Sequence, residues 1–442
     1  MKALVIALAV LAFQQQEPVD SLPDLSHPWT LPECIDWAMD HNLNVVRQAA
    51  TLESQEIDLN TAQNSWLPGV SAQASQNFSF GRGIGGNNTY DYGNSQTTGF
   101  NIGANMNLFD GMETPNRIQL AKLNLEAATA DLEKARDDIR VAVAQAYVQI
   151  LYNYEILDVA REQIRIDSLQ VERLEGLFAT GRASAAEVSQ QRASAAQSRV
   201  TLIQAENNLR SSILDLSQLL ELPSWDGFSI VRPAQSVPDD LFIATPDEIY
   251  ADAVSVRPSI QAEEIRLQGT ESSIRIAQAQ LYPTLSLSGG MGTNYYSNYG
   301  GQGFWDQLSN NFSQYVGLTL NIPIFSRFAV RNQVRQARLQ QDIQQTALQQ
   351  ARQQLYKEIQ QAWNAAIAAR AKYDASQQAA DAARSAFELV QAKYENGKAT
   401  MTEFNESRNQ LMKTLSDSVQ ATYEYLFQTR LLEFYRGGEL NL

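Results

Sequence analysis

From Val70 the chain alternates apolar and polar positions, with Val70, Ala72, Ala74, Phe78 and Phe80 set against Ser71, Gln73, Ser75, Asn77 and Ser79. A period of two predicts a strand with one apolar face. A second strand follows a Gly/Asn-rich loop, with Phe100, Ile102, Ala104, Met106 and Leu108 against Asn101, Gly103, Asn105 and Asn107. The pattern recurs beyond Pro283. Leu285, Leu287 and Met291 alternate with Ser286 and Ser288, and after a loop holding Tyr295, Tyr296, Tyr299 and Trp305, Val316, Leu318, Leu320, Ile322 and Ile324 alternate with Gly317, Thr319 and Asn321.

Each strand pair leads into a stretch whose period changes to about 3.5. Ile118, Ala121, Leu125, Ala128, Leu132, Ala135, Ile139, Ala142 and Ala146 advance by alternating threes and fours, which predicts a coiled-coil seam with alanine at every second position. The predicted helix runs from about 113 to 177, with a near match over 328–393. Its partner is either a return helix over 184–220, in a long antiparallel hairpin, or a wall of many helices needing small residues on both faces. Phe325 follows Phe109, and Gly397 follows Gly181, by the same 216 residues. An interval this long reads as a duplicated half and not as a solenoid unit.

Upstream, Trp29 to about Trp66 has the pattern of one helix ending at Pro68. The predicted organisation is a signal peptide over 1–16, an N-terminal segment with the first helix over 17–66, and a strand pair over 67–109 with its loop at 81–94. A helical hairpin over 110–220 with its tip near 181, a connector over 221–246 and a helix over 247–281 follow. A second strand pair over 282–325 with its loop at 292–312, a second hairpin over 326–436 with its tip near 397 and a tail over 437–442 complete it.

The apolar faces fit either a soluble core or lipid. Four segments of about ten residues, polar on the other face and with aromatics near their ends, favour outer-membrane strands. The apolar run 3–13 has the length of a signal peptide and is too short to span a bilayer. Four strands cannot close a membrane barrel, because open edges in lipid leave backbone groups unsatisfied. Several chains must then share one.

The net charge is −15 and the basic residues read as unclustered, which argues against a nucleic-acid partner. His27 and His41 fit no metal-ligand spacing, and the single Cys34 reads as a buried free thiol. Gly81-Arg82-Gly83-Ile84-Gly85-Gly86 matches G-x-G-x-x-G but runs on into Asn87-Asn88-Thr89-Tyr90, where a dinucleotide fingerprint should open a helix. No enzyme activity, cofactor or metal is expected.

Two turns carry more information. Phe178-Ala179-Thr180-Gly181-Arg182-Ala183-Ser184-Ala185-Ala186-Glu187 and Tyr394-Glu395-Asn396-Gly397-Lys398-Ala399-Thr400-Met401-Thr402-Glu403 each place an aromatic three residues before a glycine. Each also has a base after the glycine, a Ser/Thr N-cap and an acid in the next first turn. A left-handed glycine C-cap followed by an N-cap accounts for most of this. It leaves Glu403 and Glu406, one turn apart on one helix face, without a reason. Arg192 and Arg408 correspond as well.

The double strand-and-helix order, the start Trp29-Thr30-Leu31-Pro32-Glu33-Cys34-Ile35 and the paired turns resemble the TolC-type outer-membrane efflux proteins. The resemblance implies a mixed α and β membrane protein. Three chains would build a twelve-stranded transmembrane barrel, four strands each, continuous with a long α-helical coiled-coil barrel in the periplasm. It implies an exit duct in the outer membrane, docked on a periplasmic adaptor and an inner-membrane pump. An outlet for type I protein secretion and a periplasmic coiled-coil scaffold without a channel are the alternatives. By the resemblance, Gly181, Arg182, Ala183, Ser184, Gly397, Lys398, Ala399 and Thr400 touch the adaptor. Glu187 and Tyr394 hold the closed entrance, and Glu403 and Glu406 line it. Ala399 stands where a basic residue often completes the closing network, which implies either a weaker closed state or a substitute such as Arg182 or Lys398. Three-fold symmetry would gather the acids around one axis, where two charges about 6 Å apart repel by roughly 3 kcal/mol at an effective dielectric near 20.

Overall fold

The computed structural model describes residues 25, 27–84, 90–233, 244–297 and 302–440. The expected signal peptide lies outside them, as do Gly85, Gly86 and much of the connector. Nine helices and six strands are described: α1 (Leu31–His41), α2 (Leu43–Asn64), β1 (Gly69–Ser79), β2 (Arg82–Ile84), β3 (Tyr90–Tyr92), β4 (Ser95–Phe109), α3 (Glu113–Ala179) and α4 (Ala185–Leu219). Then come α5 (Pro246–Val256), α6 (Pro258–Ala279), β5 (Thr284–Tyr296), α7 (Phe304–Asn310), β6 (Ser313–Asn321), α8 (Ala329–Glu395) and α9 (Met401–Tyr435).

The single N-terminal helix expected from the sequence is two. At Asn42 the backbone turns extended (ψ 126°) and the side chain accepts from Asn44 N–H while its amide donates to the Leu219 carbonyl at 2.9 Å. That long-range bond, with Trp37 Nε1 donating to Leu220 O at 3.0 Å, fixes the break against the end of α4. The helix expected over 247–281 is also two, interrupted at Arg257, where the following Pro258 disfavours helical backbone. The loop at 81–94 contains the β2–β3 hairpin, so Arg82–Ile84 is strand and opens no helix. The loop at 292–312 holds the end of β5 and all of α7, whose buried Gln307 donates to the carbonyl of Tyr296 and accepts from its N–H.

β1, β4, β5 and β6 form one antiparallel sheet in that order. Ala72 pairs with Ile102, Ile102 with Met291, and Val316 with Gly289, so the apolar positions of all four strands share a face. That face is open: Val70, Phe78, Ile102, Val316, Leu318 and Leu320 are exposed. The outer edges of β1 and β6 have no strand partner among the described residues.

α3 and α8 each span 67 residues, about 100 Å at 1.5 Å per residue, and α4 and α9 each span 35. Corresponding starts stand 216 residues apart, and so do the left-handed corners before the long helices, Gly111-Met112 (φ 68° and 71°) and Arg327-Phe328 (φ 51° and 63°). α3 has helices on both flanks, α2 and α4 on one and α6 and α9 on the other, so the alternative of a wall, and not of an isolated pair, is what forms. Its core gathers Ile139, Val143, Tyr147, Ile150 and Leu151 against Trp29, Leu216 and Phe228. Cys34 is fully buried there, and burial pushes its thiol up to about 12. The basic residues read as unclustered, yet Arg331, Arg335 and Arg338 share a face at the head of α8.

Candidate functional site

Both hairpins turn on the same backbone device. Gly181 (φ 73°) and Gly397 (φ 70°) are left-handed, and the following Arg182 and Lys398 N–H groups donate back to Leu177 O and Lys393 O, each at 2.8 Å. These bonds satisfy carbonyls left over at the ends of α3 and α8. The next helix is then capped twice. Ser184 Oγ accepts from Glu187 N–H at 3.2 Å while Glu187 Oε2 accepts from the Ser184 N–H at 2.7 Å. Thr400 and Glu403 repeat the exchange at 3.2 and 2.6 Å. This reciprocal capping box gives Glu403 the reason the sequence had left missing.

The backbone N–H of Ser184 and of Thr400, and then their hydroxyls, hold Glu187 and Glu403 below the ordinary carboxylate range. Glu406 is exposed and takes no part in the cap. Arg182, Ala183, Lys398 and Ala399 lie at the tips, and neither Arg182 nor Lys398 forms an ion pair among the described residues.

The side chains around the two tips differ. Tyr394 stacks on Phe404 (centroids 4.9 Å apart), which is fully buried against Phe387. The Arg173 guanidinium of α3 lies 5.5 Å from the Tyr394 ring centre and reaches the Glu395 carbonyl at 3.5 Å. Burial pushes the Tyr394 phenol above its ordinary value; Arg173 opposes this and the Glu187 carboxylate adds to it. The structure therefore brings Glu187, Tyr394 and Arg173 within electrostatic reach across the two hairpins. Arg173, which no sequence pattern had singled out, is a cation beside Tyr394.

Above the tips lies a buried polar knot that sequence reasoning also missed. Arg408 of α9 and Asp167 of α3 form an ion pair with side chains 1% and 0% exposed. Asp167 also accepts from Gln163 and Gln191, each at 3.0 Å, and from Ser198 at 2.5 Å, while Arg408 donates to Ser194 at 3.0 Å. Burial lowers the Arg408 guanidinium and Asp167 opposes the shift. One signal was available: Phe404, Arg408 and Leu411 follow helical spacing, which puts a charge on the buried stripe of α9.

The outer membrane efflux protein family model matches residues 34–221 and 249–438. The chain belongs to the outer membrane efflux protein family. Its members are transport proteins, and this chain is a protein of the outer membrane. Among curated relatives it is 23% identical to the outer membrane efflux protein BepC of Brucella suis, over 89% of this chain and 82% of that one. It is 22% identical to the outer membrane protein TolC of Escherichia coli, over 91% and 81%. Among solved structures, VceC of Vibrio cholerae aligns with a TM-score of 0.73 at 20% identity, over 93% of this chain and 97% of that one. The CmeC outer membrane channel of Campylobacter jejuni aligns at 0.76, likewise at 20% identity, over 93% and 87%. No described helix is long and apolar enough to cross a membrane.

Proposed function

We propose that three copies of this chain form a single exit duct, with a twelve-stranded barrel in the outer membrane above a helical barrel in the periplasm. The observation that carries the proposal is the four-stranded sheet whose apolar face is exposed and whose outer edges, β1 and β6, lack strand partners among the described residues. In lipid such edges cost several kcal/mol for each unsatisfied group, and pairing β6 of one copy with β1 of the next removes them. The recurrence of lengths 67 and 35 at a constant 216-residue offset supports duplication of an ancestral half. A three-fold assembly then has nearly six-fold helical walls.

The duct is passive and receives substrates from a periplasmic adaptor and an inner-membrane pump. The segments 181–184 and 397–400 are the adaptor-contacting tips. Glu187, Tyr394, Glu403 and Glu406 form the entrance gate, with Arg173 supplying the cation that Ala399 does not. The purified chain should run as a heat-dissociable oligomer and give one defined conductance in planar bilayers. A monomer with no conductance would refute the duct and leave a periplasmic scaffold.

A further inference from the structure

Between Asp306 and Asp342 the chain has no acidic residue and four arginines, in a protein with 49 acids and 34 bases. Arg327 opens the corner below β6, and Arg331, Arg335 and Arg338 continue down the first turns of α8, all exposed. None forms an ion pair among the described residues, whereas Arg352 further down α8 pairs with Glu264 of α6 at 2.7 Å. The Arg331 guanidinium instead lies 5.9 Å from the centre of the Phe328 ring, which packs edge-on to Phe325, and both rings are exposed.

The side of the wall these arginines occupy follows from chirality. Ser297 N–H donates to Gln96 O at 3.0 Å, and the Phe100 and Ile102 carbonyl oxygens lie 3.0 Å from where a Cβ on Gly292 and on Gly290 would stand. The even-numbered residues of β4 thus aim their backbone groups at β5, while their side chains form the apolar face. For L-residues in a strand that descends toward its helix, this sets β5 to the left of β4 when viewed from the apolar side. β6 and α8 are then at the far left, with α6 on the right of α8.

At the head of α8 the buried Val330 and Val334, with Gln344 bonded to Glu263 at 2.6 Å, mark the stripe facing α6. Each residue of a right-handed helix advances about 100°. Descending from N to C, that rotation carries Arg331, Arg335 and Arg338 onto the viewer's side, directly beneath the apolar face of the sheet. The opposite face, with Gln333, Gln336 and Gln340, is polar and uncharged.

We propose that Arg331, Arg335 and Arg338 form an outward-facing basic collar that binds the phosphate groups of anionic phospholipids in the periplasmic leaflet, with Phe325 and Phe328 seated at the boundary. This rests on the barrel reading, because it takes the apolar face as lipid-facing. Aromatic residues at the headgroup level and basic residues just beyond it are the chemistry such a surface selects. The three guanidiniums span little more than about 10 Å of helix, within a Debye length of the headgroups.

The test uses the full-chain assembly in vesicles of phosphatidylcholine with a minority of phosphatidylglycerol, comparing the immobilised fractions of spin-labelled forms of the two lipids. The parent protein should prefer phosphatidylglycerol. The triple variant Arg331→Gln/Arg335→Gln/Arg338→Gln should lose that preference, by about tenfold or more in relative affinity for three lost charges, while the triple lysine variant keeps it. An unchanged preference overturns the proposal. So does a shift in the reversal potential of the conductance with lipid preference intact, which would put the arginines in the lumen. So does dissociation of the assembly with lipid preference intact, which would put them between copies. Absence of any conductance from the parent protein would instead count against the duct itself.

Discussion

The two hairpin tips share one backbone and differ in what their side chains do. Both end in a left-handed glycine and restart with a capping box, yet Phe178 is half exposed where its counterpart Tyr394 stacks on buried Phe404. Arg192 holds Glu175 at 2.6 Å on the surface of its own hairpin, whereas the corresponding Arg408 is buried and joined to Asp167 of the other hairpin. The two hairpins agree in what is local, the turn and the caps. They differ in what reaches across, so the second hairpin is clamped to α3 and presents the polar tip.

The largest expected contrast is between the arginines. Arg408→Met leaves Asp167 buried and unpaired and should cost about 3–5 kcal/mol, while Arg192→Met should stay within about 1 kcal/mol. Thermal unfolding of both variants, followed by helix ellipticity, measures the difference. The double variant Asp167→Leu/Arg408→Met should regain most of the loss, since a buried pair exchanged for apolar groups is often neutral. Equal costs for the two single variants would remove the clamp from the account.

The caps should show no contrast. Ser184→Ala and Thr400→Ala should each loosen their own tip by roughly 1 kcal/mol, read by hydrogen exchange of the amides that begin α4 and α9. A strongly unequal response would mean that one box does more than cap. The smallest effect is that of acid. Glu187 and Glu403 are held below 4.5, so their contribution is complete above that pH and is lost as pH falls through their lower folded values. Protection factors at both tips, corrected for the intrinsic pH dependence of amide exchange, should therefore fall together on going from about pH 5 to about pH 3, and change little between about pH 5 and 7.

Much of this was legible in the chain because it is local. The seam from Ile118 to Ala146 and the glycines 181 and 397 gave the long helices to within a few residues, and strand alternation gave the sheet face. The break at Asn42 was not legible, because the bond that secures it goes to Leu219. The break at Arg257 had a readable signal in Pro258, but α7 depends on Gln307 meeting Tyr296 across the loop. At the site, the glycine turns and the Ser184 and Thr400 N-caps were visible, whereas the return bonds of Glu187 and Glu403 to those caps were not. The Asp167–Arg408 pair joins residues 241 positions apart, and no pattern within either helix names its partner. Arg173 was hidden for the same reason, since only docking of the hairpins sets it beside Tyr394.

The central claim is that the second tip supplies the acidic ring of the proposed gate, to which the first tip adds only Glu187. It is tested most directly by single-channel conductance in planar bilayers with divalent cations added on the periplasmic side, comparing Glu403→Ala/Glu406→Ala with Glu187→Ala/Gln190→Ala, where Gln190 is the counterpart of Glu406 at the first tip. The account predicts that the first pair relieves divalent block while the second leaves most of it in place. Block unchanged by removal of Glu403 and Glu406, or relieved equally by both pairs, would contradict it.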